Sequence, residues 1–396
     1  MHDIDRRESA TYAVIGAGLS GASVAWRLAA SGSDVIVLER DVPASALGSS
    51  HGSARIFRYG YLDPFYAGLV MRAKSSWDEL EAASGRRLIT PSGSLDFGAV
   101  RDPRGLADVL ETVGVEHELL SGADAATRWP GLRFDTEVLW HPGAGVIDAE
   151  ESVNAMLDLA RAAGAEVRAG WEAASVRHGF TGYQVTSTTG RTVHAEQVIV
   201  AAGGWLPALL GELDLPPGFA DALPEFEVRQ ENAFHYPYRD PSDRGELAPG
   251  AQTSWPTFIY KGEDIQAYGL PGGRDAGFDG QKVAEYNGGR VIRSARDQDG
   301  AIDAENRTRV TGFVAEFAPG LEPEPYAETT CLFTNVPRDD MIIDRAAGVT
   351  ILSPCSGQGA KFAPLLGELV HDLVAGAGRT TERFRAVGQR FAGALR

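Results

Sequence analysis

Residues 12–39 read YAVIGAGLSGASVAWRLAASGSDVIVLE, which places three glycines between two short apolar runs. The first run predicts a strand, the residues around Gly21 predict a helix start, and the second run predicts a strand that ends at Glu39. In a dinucleotide-binding fold, Gly16 allows the tight turn, Gly18 lets a pyrophosphate approach the backbone, and Gly21 brings the helix close to the strand. Free N–H groups at the helix start would hold the phosphates, and Glu39 would accept hydrogen bonds from a ribose.

A Gly-x-Gly-x-x-Gly pattern by itself is a weak signal, because it occurs by chance in glycine-rich sequences and then marks only a loop. Here the pattern comes with the strand, the helix, the second strand and the acidic residue that nucleotide binding requires. These accompanying elements favour a dinucleotide site over a glycine-rich loop. The motif does not separate NAD from FAD.

The composition is that of a globular protein large enough for more than one lobe. The chain has 396 residues, of which 43% are hydrophobic and 23% are charged. A net charge of -17 argues against nucleic acid and against an anionic membrane surface as partners. No apolar run reaches the length of about 18 residues that a membrane-spanning helix needs.

The N-terminus and the cysteines bear on the compartment. The chain begins MHDIDRRESA, with acidic residues where a signal peptide carries its basic and apolar regions, so we expect a cytoplasmic protein. Two cysteines, Cys331 and Cys355, are too few for a disulfide framework or a metal site, and no metal is expected.

A loop rich in small and basic residues follows the opening stretch. Residues 41–61 read DVPASALGSSHGSARIFRYGY and contain His51, Arg55 and Arg58. Small residues let a loop lie close against a flat ligand, and the two arginines make it electropositive. Taken alone, the segment is explained equally well as a solvated loop.

Hydrophobic periodicity defines the elements that come next. They are an amphipathic helix over residues 69–84, a hairpin over 88–97, a strand pair over 137–147, a helix capped by Asp148, and a meander over 174–194. A buried strand over 197–201 then ends at Gly203 and Gly204, and it either rejoins the nucleotide sheet or is an ordinary buried strand. The aromatic runs over 225–264 predict core strands of a second lobe, and only secondarily a ligand wall.

Five short motifs, in the same order along the chain, resemble a known family. They are SSHGSARIFR (49–58), YGLP (268–271), GQK (280–282), CLFTNVPRDDMIID (331–344) and SGQGAKF (356–362). Together with the opening glycine motif and its Glu39, they resemble monomeric sarcosine oxidase and N-methyltryptophan oxidase, which are FAD enzymes of the D-amino-acid-oxidase superfamily. The likeness runs from Tyr12 to Val374 and is weakest between residues 99 and 135.

The resemblance implies an α/β fold with two discontinuous domains. One is a Rossmann-type, glutathione-reductase-like FAD-binding domain formed by residues 1–86, 149–224 and 326–396. The other is a substrate domain with a mixed, largely antiparallel sheet, formed by residues 87–148 and 225–325. This sheet is expected to cover the face of the flavin.

The resemblance also assigns residues to the cofactor. Cys331 matches the cysteine whose sulfur is joined to a methyl carbon of the flavin ring, a thioether that raises the flavin redox potential. A free cysteine is otherwise a small buried hydrophobe, which is the interpretation we give Cys355. The implied cofactor-binding residues are Gly16, Gly18, Gly21, Glu39, Arg40, Ser50, His51, Arg55, Gly203, Cys331, Gly357, Gly359 and Lys361.

Other matched positions concern the substrate and oxygen. Arg58 and Lys361 match the pair that holds the substrate carboxylate, with a surface arginine and a helix-start lysine as the alternatives. Lys282 matches the lysine whose charge activates dioxygen, and without its flanking pattern it would be a solvated strand lysine. The implied catalytic residues are Lys282, Arg55, His51, Tyr268 and Tyr286, and the implied substrate-binding residues are Arg58, Lys361 and Phe333.

Two positions depart from the family pattern. Tyr286 stands where the family usually has a histidine over the substrate, and Phe333 stands where sarcosine oxidase has a tyrosine. Both changes argue against sarcosine itself. We expect them to favour a larger or less polar amino acid.

The implied activity is oxidation of a secondary amino acid at its C–N bond. An N-methyl or cyclic substrate would give an imine, and dioxygen would reoxidise the flavin to yield hydrogen peroxide. No general base is required if the amine binds neutral, since desolvation lowers its pKa. The expected partners are the small-molecule substrate and dioxygen, and the protein is expected to be a monomer.

Several alternatives stay open. A flavin dehydrogenase would pass electrons to another acceptor, and a biosynthetic imino-acid oxidase would aromatise a cyclic substrate. An NAD-linked Rossmann dehydrogenase would be colourless when purified, whereas a flavoprotein is yellow. A flavin-holding binding subunit would be yellow but would not bleach with any amine.

Overall fold

The expected strand–helix–strand unit opens the chain in a computed structural model of the protein. The structure describes residues 8–240, 255–277, 280–375, 378 and 381–386. A strand over Ser9–Ile15, a helix over Leu19–Ala30 and a strand over Val35–Leu38 confirm the prediction. The first seven residues, on which the signal-peptide argument partly rests, lie outside the described residues.

Strands and helices are numbered separately in chain order. The strands are β1 (Ser9–Ile15), β2 (Val35–Leu38), β3 (Arg55–Phe57), β4 (Ile89–Pro91), β5 (Ser94–Phe97), β6 (Glu118–Leu120), β7 (Val138–His141), β8 (Gly145–Ile147), β9 (Glu166–Arg168), β10 (Ala173–Gly179), β11 (Gly182–Ser187), β12 (Thr192–Val200), β13 (Glu227–Pro237), β14 (Thr257–Lys261), β15 (Gln266–Pro271), β16 (Gly280–Glu285), β17 (Arg290–Ile292), β18 (Ala327–Asn335), β19 (Ile342–Ala346) and β20 (Val349–Ser353). The helices are α1 (Leu19–Ala30), α2 (Pro64–Ser84), α3 (Pro103–Val113), α4 (Gly122–Arg128), α5 (Ala149–Ala162), α6 (Leu206–Leu209), α7 (Pro217–Ala220), α8 (Ala304–Phe317) and α9 (Ala363–Val374).

The first sheet has eight strands and a parallel centre. Its main path runs β10-β11-β12-β1-β2-β9, and β20 joins β12 and β19 beside it. Strand β1 pairs in parallel with both β2 and β12, so the strand over 197–201 does return to the nucleotide sheet. Val14 and Val37 face the core that includes α1, α5 and α9, while Ile15 and Leu38 face the opposite core. The sheet is therefore buried on both faces, as a doubly wound α/β sheet is.

The second sheet has nine strands in the order β17-β13-β16-β15-β14-β5-β7-β6, with β18 also paired to β13. Its pairings are antiparallel except for that between β14 and β5. This confirms the expected α/β fold with a mixed, largely antiparallel second sheet. The aromatic strands form its core, with Phe97, Phe234 and Phe258 fully buried.

The sequence predicted the wrong pairing partners for two sets of strands. The strands over 88–97 do not form a hairpin, because β4 pairs with β8 in a small third sheet while β5 pairs with β7 and β14. Likewise β7 and β8, predicted as a pair, belong to different sheets. The chain changes sheets at Gly93, which has φ +67° and packs under the ring of Trp140.

Helix boundaries follow capping residues. Helix α2 begins at Pro64, five residues before the predicted start, because Asp63 accepts a hydrogen bond from the Phe65 N–H and proline suits the first helical turn. Asp148 caps α5 as expected and accepts from the Glu151 N–H. Among the helices that the structure describes, none is both long and apolar enough to cross a membrane.

Candidate active site and cofactor site

Parallel strands of the first sheet end together at one edge. Ile15 of β1, Leu38 of β2 and Leu352 of β20 line a cavity there, which we call the first cavity. Open α/β sheets bind ligands at this edge, beyond the carboxyl ends of their strands. The predicted cofactor residues that line the first cavity are Gly16, Gly18, Glu39, Arg40, Ser50 and Gly203.

The turn after β1 is packed too closely for side chains. Gly16 has φ +102°, and a Cβ there would lie 2.5 Å from the carbonyl oxygen of Ala201. A Cβ on Gly21 would lie 1.9 Å from the carbonyl oxygen of Gly16, and one on Gly18 would lie 2.8 Å from Ser50 Oγ. The turn therefore presents bare backbone to the first cavity at the start of α1, as a dinucleotide pyrophosphate requires.

Glu39 lies at the end of β2 and is 8% exposed. Its Oε2 accepts a hydrogen bond from the Ala17 N–H at 2.7 Å, and its Oε1 accepts one from the Asp41 N–H at 2.9 Å. Burial raises the pKa of Glu39, and these two N–H groups act in the opposite direction. A carboxylate has about four acceptor positions, so Glu39 retains capacity for the hydroxyl groups of a ribose.

Basic and aromatic side chains complete the first cavity. The Arg40 guanidinium lies over the ring of Trp205, 4.7 Å from its centroid. Ser50 Oγ accepts a hydrogen bond from the Leu19 N–H at 3.0 Å, which ties the basic loop to the start of α1. Gly203 has φ +51° and open space where a side chain would stand. These residues form a wall on which a flat, anionic ligand can lie.

One face of the nine-stranded sheet forms the wall of a second cavity of about 410 Å³. Side chains alternate along a strand, so Cys331 and Phe333 of β18 share this face. Tyr268 of β15 pairs with Ala284, two residues after Lys282 on β16, and the register places these three on that face as well. The predicted site residues that line the second cavity are Arg55, Arg58, Tyr268, Lys282, Tyr286, Cys331, Phe333, Gly357 and Lys361.

Lys282 and Arg55 place positive charge near Cys331. Lys282 is 6% exposed, and burial together with Arg55 lowers its pKa to about 8. Burial raises the pKa of the Cys331 thiol, while Arg55 and Lys282 lower it. Arg55 is held by hydrogen bonds that it donates to the backbone oxygens of Ser49 at 3.0 Å and His51 at 2.8 Å. The result is an electropositive corner that contains one sulfur nucleophile.

Arg58 and Lys361 meet at another side of the second cavity. Both lie over the ring of Tyr61, at 5.1 Å for the guanidinium and 5.5 Å for the ammonium. Lys361 is 5% exposed, and burial, Arg58 and Arg101 lower its pKa. Its Nζ donates a hydrogen bond to the backbone oxygen of Gln358 at 3.0 Å. A buried ammonium that shares a ring with a guanidinium is stabilised by an anion, so this side of the cavity suits a carboxylate.

Two aromatic rings occupy the positions that depart from the family pattern. Tyr286 and Phe333 have ring centroids 5.9 Å apart. The Tyr286 hydroxyl donates a hydrogen bond to Asp339 Oδ2 at 3.0 Å, and burial raises the pKa of both groups. A Cβ on Gly357 would lie 2.8 Å from each ring, so only glycine fits against them. Tyr286 is thus fixed by its hydroxyl, and Phe333 gives the cavity an apolar surface.

Three predicted site residues do not line either cavity, and their roles stay predictions. Gly21 lies under the first turn, and a Cβ on Gly359 would lie 2.7 Å from the Pro354 oxygen. His51 Nδ1 lies 2.7 Å from the Gly48 oxygen. Burial and Arg55 lower the His51 pKa to about 4, so the ring is neutral near pH 7 and its proton is on Nδ1.

The structure thus has one cavity suited to a dinucleotide and a second cavity lined by cations and a thiol. A family model described as FAD dependent oxidoreductase matches residues 11–373 of the chain. The chain belongs to this family. The glycine turn, the free acceptor positions of Glu39 and the cavity beside them fit FAD.

Relatives of this FAD-dependent oxidoreductase cover nearly its whole length. Peroxisomal sarcosine oxidase from Homo sapiens is 30% identical, over 91% of this chain and 90% of that protein. N-methyl-L-tryptophan oxidase from Salmonella agona is 27% identical, over 92% of this chain and 94% of that protein. The solved structure of NikD, an unusual amino acid oxidase essential for nikkomycin biosynthesis, has a TM-score of 0.82 and 25% identity, covering 96% of this chain and 97% of NikD. The resemblance drawn from the motifs is confirmed.

Several side chains of this FAD-dependent oxidoreductase line the second cavity although the sequence did not single them out. They are Tyr61, Arg101, Ile259, Lys261, Gln266, Asp339 and Gln358. A usable signal existed for Ile259 and Lys261, because residues two apart on a strand share a face. The sequence placed the aromatic strands mainly in the core, so it predicted only secondarily that β14 would form part of the cavity wall.

Glu231 was also missed. It lies directly opposite Cys331 in the antiparallel pairing of β13 with β18, so the two side chains share a face. Its Oε2 accepts a hydrogen bond from the Gly289 N–H at 3.1 Å, and its Oε1 has no partner among the described residues. The carboxyl is 1% exposed, and burial raises its pKa to about 7. A buried acid therefore lies next to the predicted attachment cysteine.

Proposed function

We propose that this FAD-dependent oxidoreductase oxidises a secondary amino acid, N-methyl or cyclic, at its C–N bond to give an imine. The observation that carries the proposal is the pairing of Arg58 with the buried Lys361 at one side of the second cavity. This pair is suited to a substrate carboxylate, because a guanidinium binds it bidentately and an ammonium adds charge. Sarcosine oxidase and N-methyl-L-tryptophan oxidase, named among the relatives, support the secondary amine.

The side chains of the second cavity would orient the substrate and exclude water. FAD, when bound, supplies the acceptor for the two electrons removed from the substrate. Arg58 and Lys361 would fix the carboxylate, and the rings of Tyr286 and Phe333 would shield the amine from solvent. A desolvated amine binds in its neutral form, because burial lowers the pKa of an ammonium group. This arrangement requires no side chain to act as a general base on the substrate.

The central experiment is an anaerobic panel of N-methyl and cyclic amino acids added to the purified protein, with bleaching of the flavin absorbance as the measurement. We expect at least one secondary amino acid to bleach the flavin, and a side chain larger than that of sarcosine to be preferred. Arg58→Met should raise KM strongly, since one of the two carboxylate contacts is lost. A yellow protein that no amine bleaches would overturn the proposal and favour a flavin-holding binding subunit. A colourless protein would instead favour an NAD-linked enzyme.

We propose in addition that FAD is joined covalently to Cys331. The thiol faces the second cavity, where burial raises its pKa and the positive charges of Arg55 and Lys282 partly offset that rise. Acid precipitation of the wild-type protein should leave a yellow pellet, whereas Cys331→Ser should release the flavin into the supernatant. Cys355→Ser is the matched control, because it removes the other cysteine, which lines the first cavity, without removing the proposed attachment point. A colourless wild-type pellet would show that the flavin is not attached.

We propose dioxygen as the electron acceptor, with Lys282 supplying positive charge to the reducing oxygen. Lys282→Met should slow reoxidation of the reduced flavin by dioxygen without slowing its anaerobic reduction, and stopped-flow absorbance separates the two steps. An unchanged reoxidation rate would remove the role assigned to Lys282 and favour a dehydrogenase that uses another acceptor. The likeness to NikD favours a third case, a biosynthetic oxidase of a cyclic imino acid, which product analysis would reveal.

We further propose a monomeric, cytoplasmic protein whose two domains follow the boundaries expected from the sequence. Unpaired Cys331 and Cys355 are compatible with a reducing compartment. Light scattering of the purified protein tests the monomer, and limited proteolysis tests the domain boundaries.

A further inference from the structure

Lys261 is a further cation that lines the second cavity, in addition to Arg58 and Lys361, the pair proposed to bind the substrate carboxylate. It ends strand β14, and it shares a face with Ile259, which also lines the cavity. The side chain is half-buried. No ion pair or hydrogen bond of its Nζ is found among the residues that the structure describes.

The neighbours of Lys261 explain why an ammonium at this position lacks a partner. Burial lowers its pKa, and Arg101 and Arg58 lower it further, whereas Asp339 and Asp96 raise it. Asp96 is already paired with Arg101, at 2.6 Å between Oδ1 and Nη2. Asp339 accepts the Tyr286 hydroxyl. Both nearby carboxylates are therefore engaged by other side chains.

At this end of the second cavity, the positive charges of the protein outnumber its negative charges by more than the carboxylate of one substrate can neutralise. Four cations lie at this end, where Arg58 and Arg101 act on the pKa of both lysines, and the two carboxylates that act on Lys261 are Asp96 and Asp339. The cations are Arg58, Arg101, Lys261 and Lys361. An amino acid that binds with a neutral amine adds one negative charge and leaves one positive charge without a partner. Burial makes an unpaired charge costly, and because Arg101 and Lys361 are buried and Lys261 is half-buried, a second anion is favoured here.

We propose that Lys261 binds a second anionic group, carried on the side chain of the substrate, so that the enzyme acts on secondary amino acids with an acidic side chain. This inference rests on the proposed function and specifies its substrate class. Ile259 pairs with Tyr268 and Lys261 pairs with Gln266 in neighbouring strands. The first pair offers apolar surface to the aliphatic part of such a side chain, and the second offers an ammonium and an amide to its anionic end.

The test compares substrates that differ only in charge. N-methylglutamate and N-methylglutamine, each supplied as both enantiomers, are given to the wild-type holoenzyme and to Lys261→Met, and kcat/KM is measured by flavin reduction. We expect the wild type to prefer the acid by about tenfold or more, as a charge-assisted hydrogen bond supports. Lys261→Met should lose this preference, Lys261→Arg should keep much of it, and the surface control Lys74→Met should keep all of it.

Binding without turnover provides an independent readout. Calorimetry of the holoenzyme with glutarate and with its half-amide, glutaramate, should show tighter binding of glutarate, and Lys261→Met should remove the difference. Equal affinities in the wild type, or a preference that survives in Lys261→Met, would overturn the inference. If neutral N-methyl amino acids are oxidised without any preference for acidic ones, the inference fails and the proposed function stands. If no secondary amino acid reduces the flavin, the proposed function itself fails.

Discussion

Removing the buried acid at Glu231 should change how the stability of the protein depends on pH. Burial raises the pKa of Glu231 from 4.5 to about 7. Because its folded pKa lies above its unfolded pKa, the folded state binds the extra proton between these values. The stabilisation is fully present below pH 4.5 and is lost as the pH rises through 7. At 1.36 kcal/mol per pKa unit, the change in the free energy of unfolding is about 3 kcal/mol.

Glu231→Gln provides the perturbation, because the amide keeps an oxygen for the Gly289 N–H but does not titrate in this range. The free energy of unfolding of both holoproteins would be measured by urea titration from pH 5 to pH 8. We expect the variant to gain stability relative to the wild type as the pH rises, by up to about 3 kcal/mol at pH 8.

The comparison cancels the titration of the other groups, since both proteins share them. Glu316→Gln, which removes an exposed carboxyl on α8, controls for the loss of one negative charge. Parallel stability curves for the wild type and Glu231→Gln across this range would refute the reasoning, because the buried carboxyl would then titrate in the folded protein as it does in the unfolded chain.

Three further perturbations test the turn, the buried ion pair and the oxygen site. Gly21→Ala should abolish incorporation of FAD, seen as loss of the flavin absorbance of the purified protein, since its Cβ would lie 1.9 Å from a carbonyl oxygen of the turn, whereas Gly68→Ala has open space and should incorporate FAD normally. Asp96→Asn should lower the free energy of unfolding by about 3 to 5 kcal/mol in urea titrations, because it leaves the buried Arg101 charge uncompensated; a loss of less than about 1 kcal/mol would contradict this. Flavin reoxidation by dioxygen should slow as the pH rises above about 8, where Lys282 loses its proton, and a flat profile would remove that charge from the mechanism.

The local patterns of the sequence were sufficient for the nucleotide-binding unit. Three glycines, two apolar runs and Glu39 predicted the strand, the helix and the second strand that the structure contains. The sequence also predicted a helix cap correctly, since Asp148 caps α5. These features depend on residues close together in the chain, so short-range spacing carries the information. The family resemblance then added the cofactor and nine of the residues that line the second cavity.

Only the tertiary structure decided which strands pair and which side chains face one another. The alternation over 88–97 was read correctly as strands, yet β4 and β5 diverge into different sheets at Gly93. Lys261 looked like the end of a core strand until the register placed it on the cavity wall. Glu231 meets Cys331 only because two strands distant in sequence pair in one register. Alternation along a strand specifies two faces, but the choice of partner and register depends on packing across the whole fold.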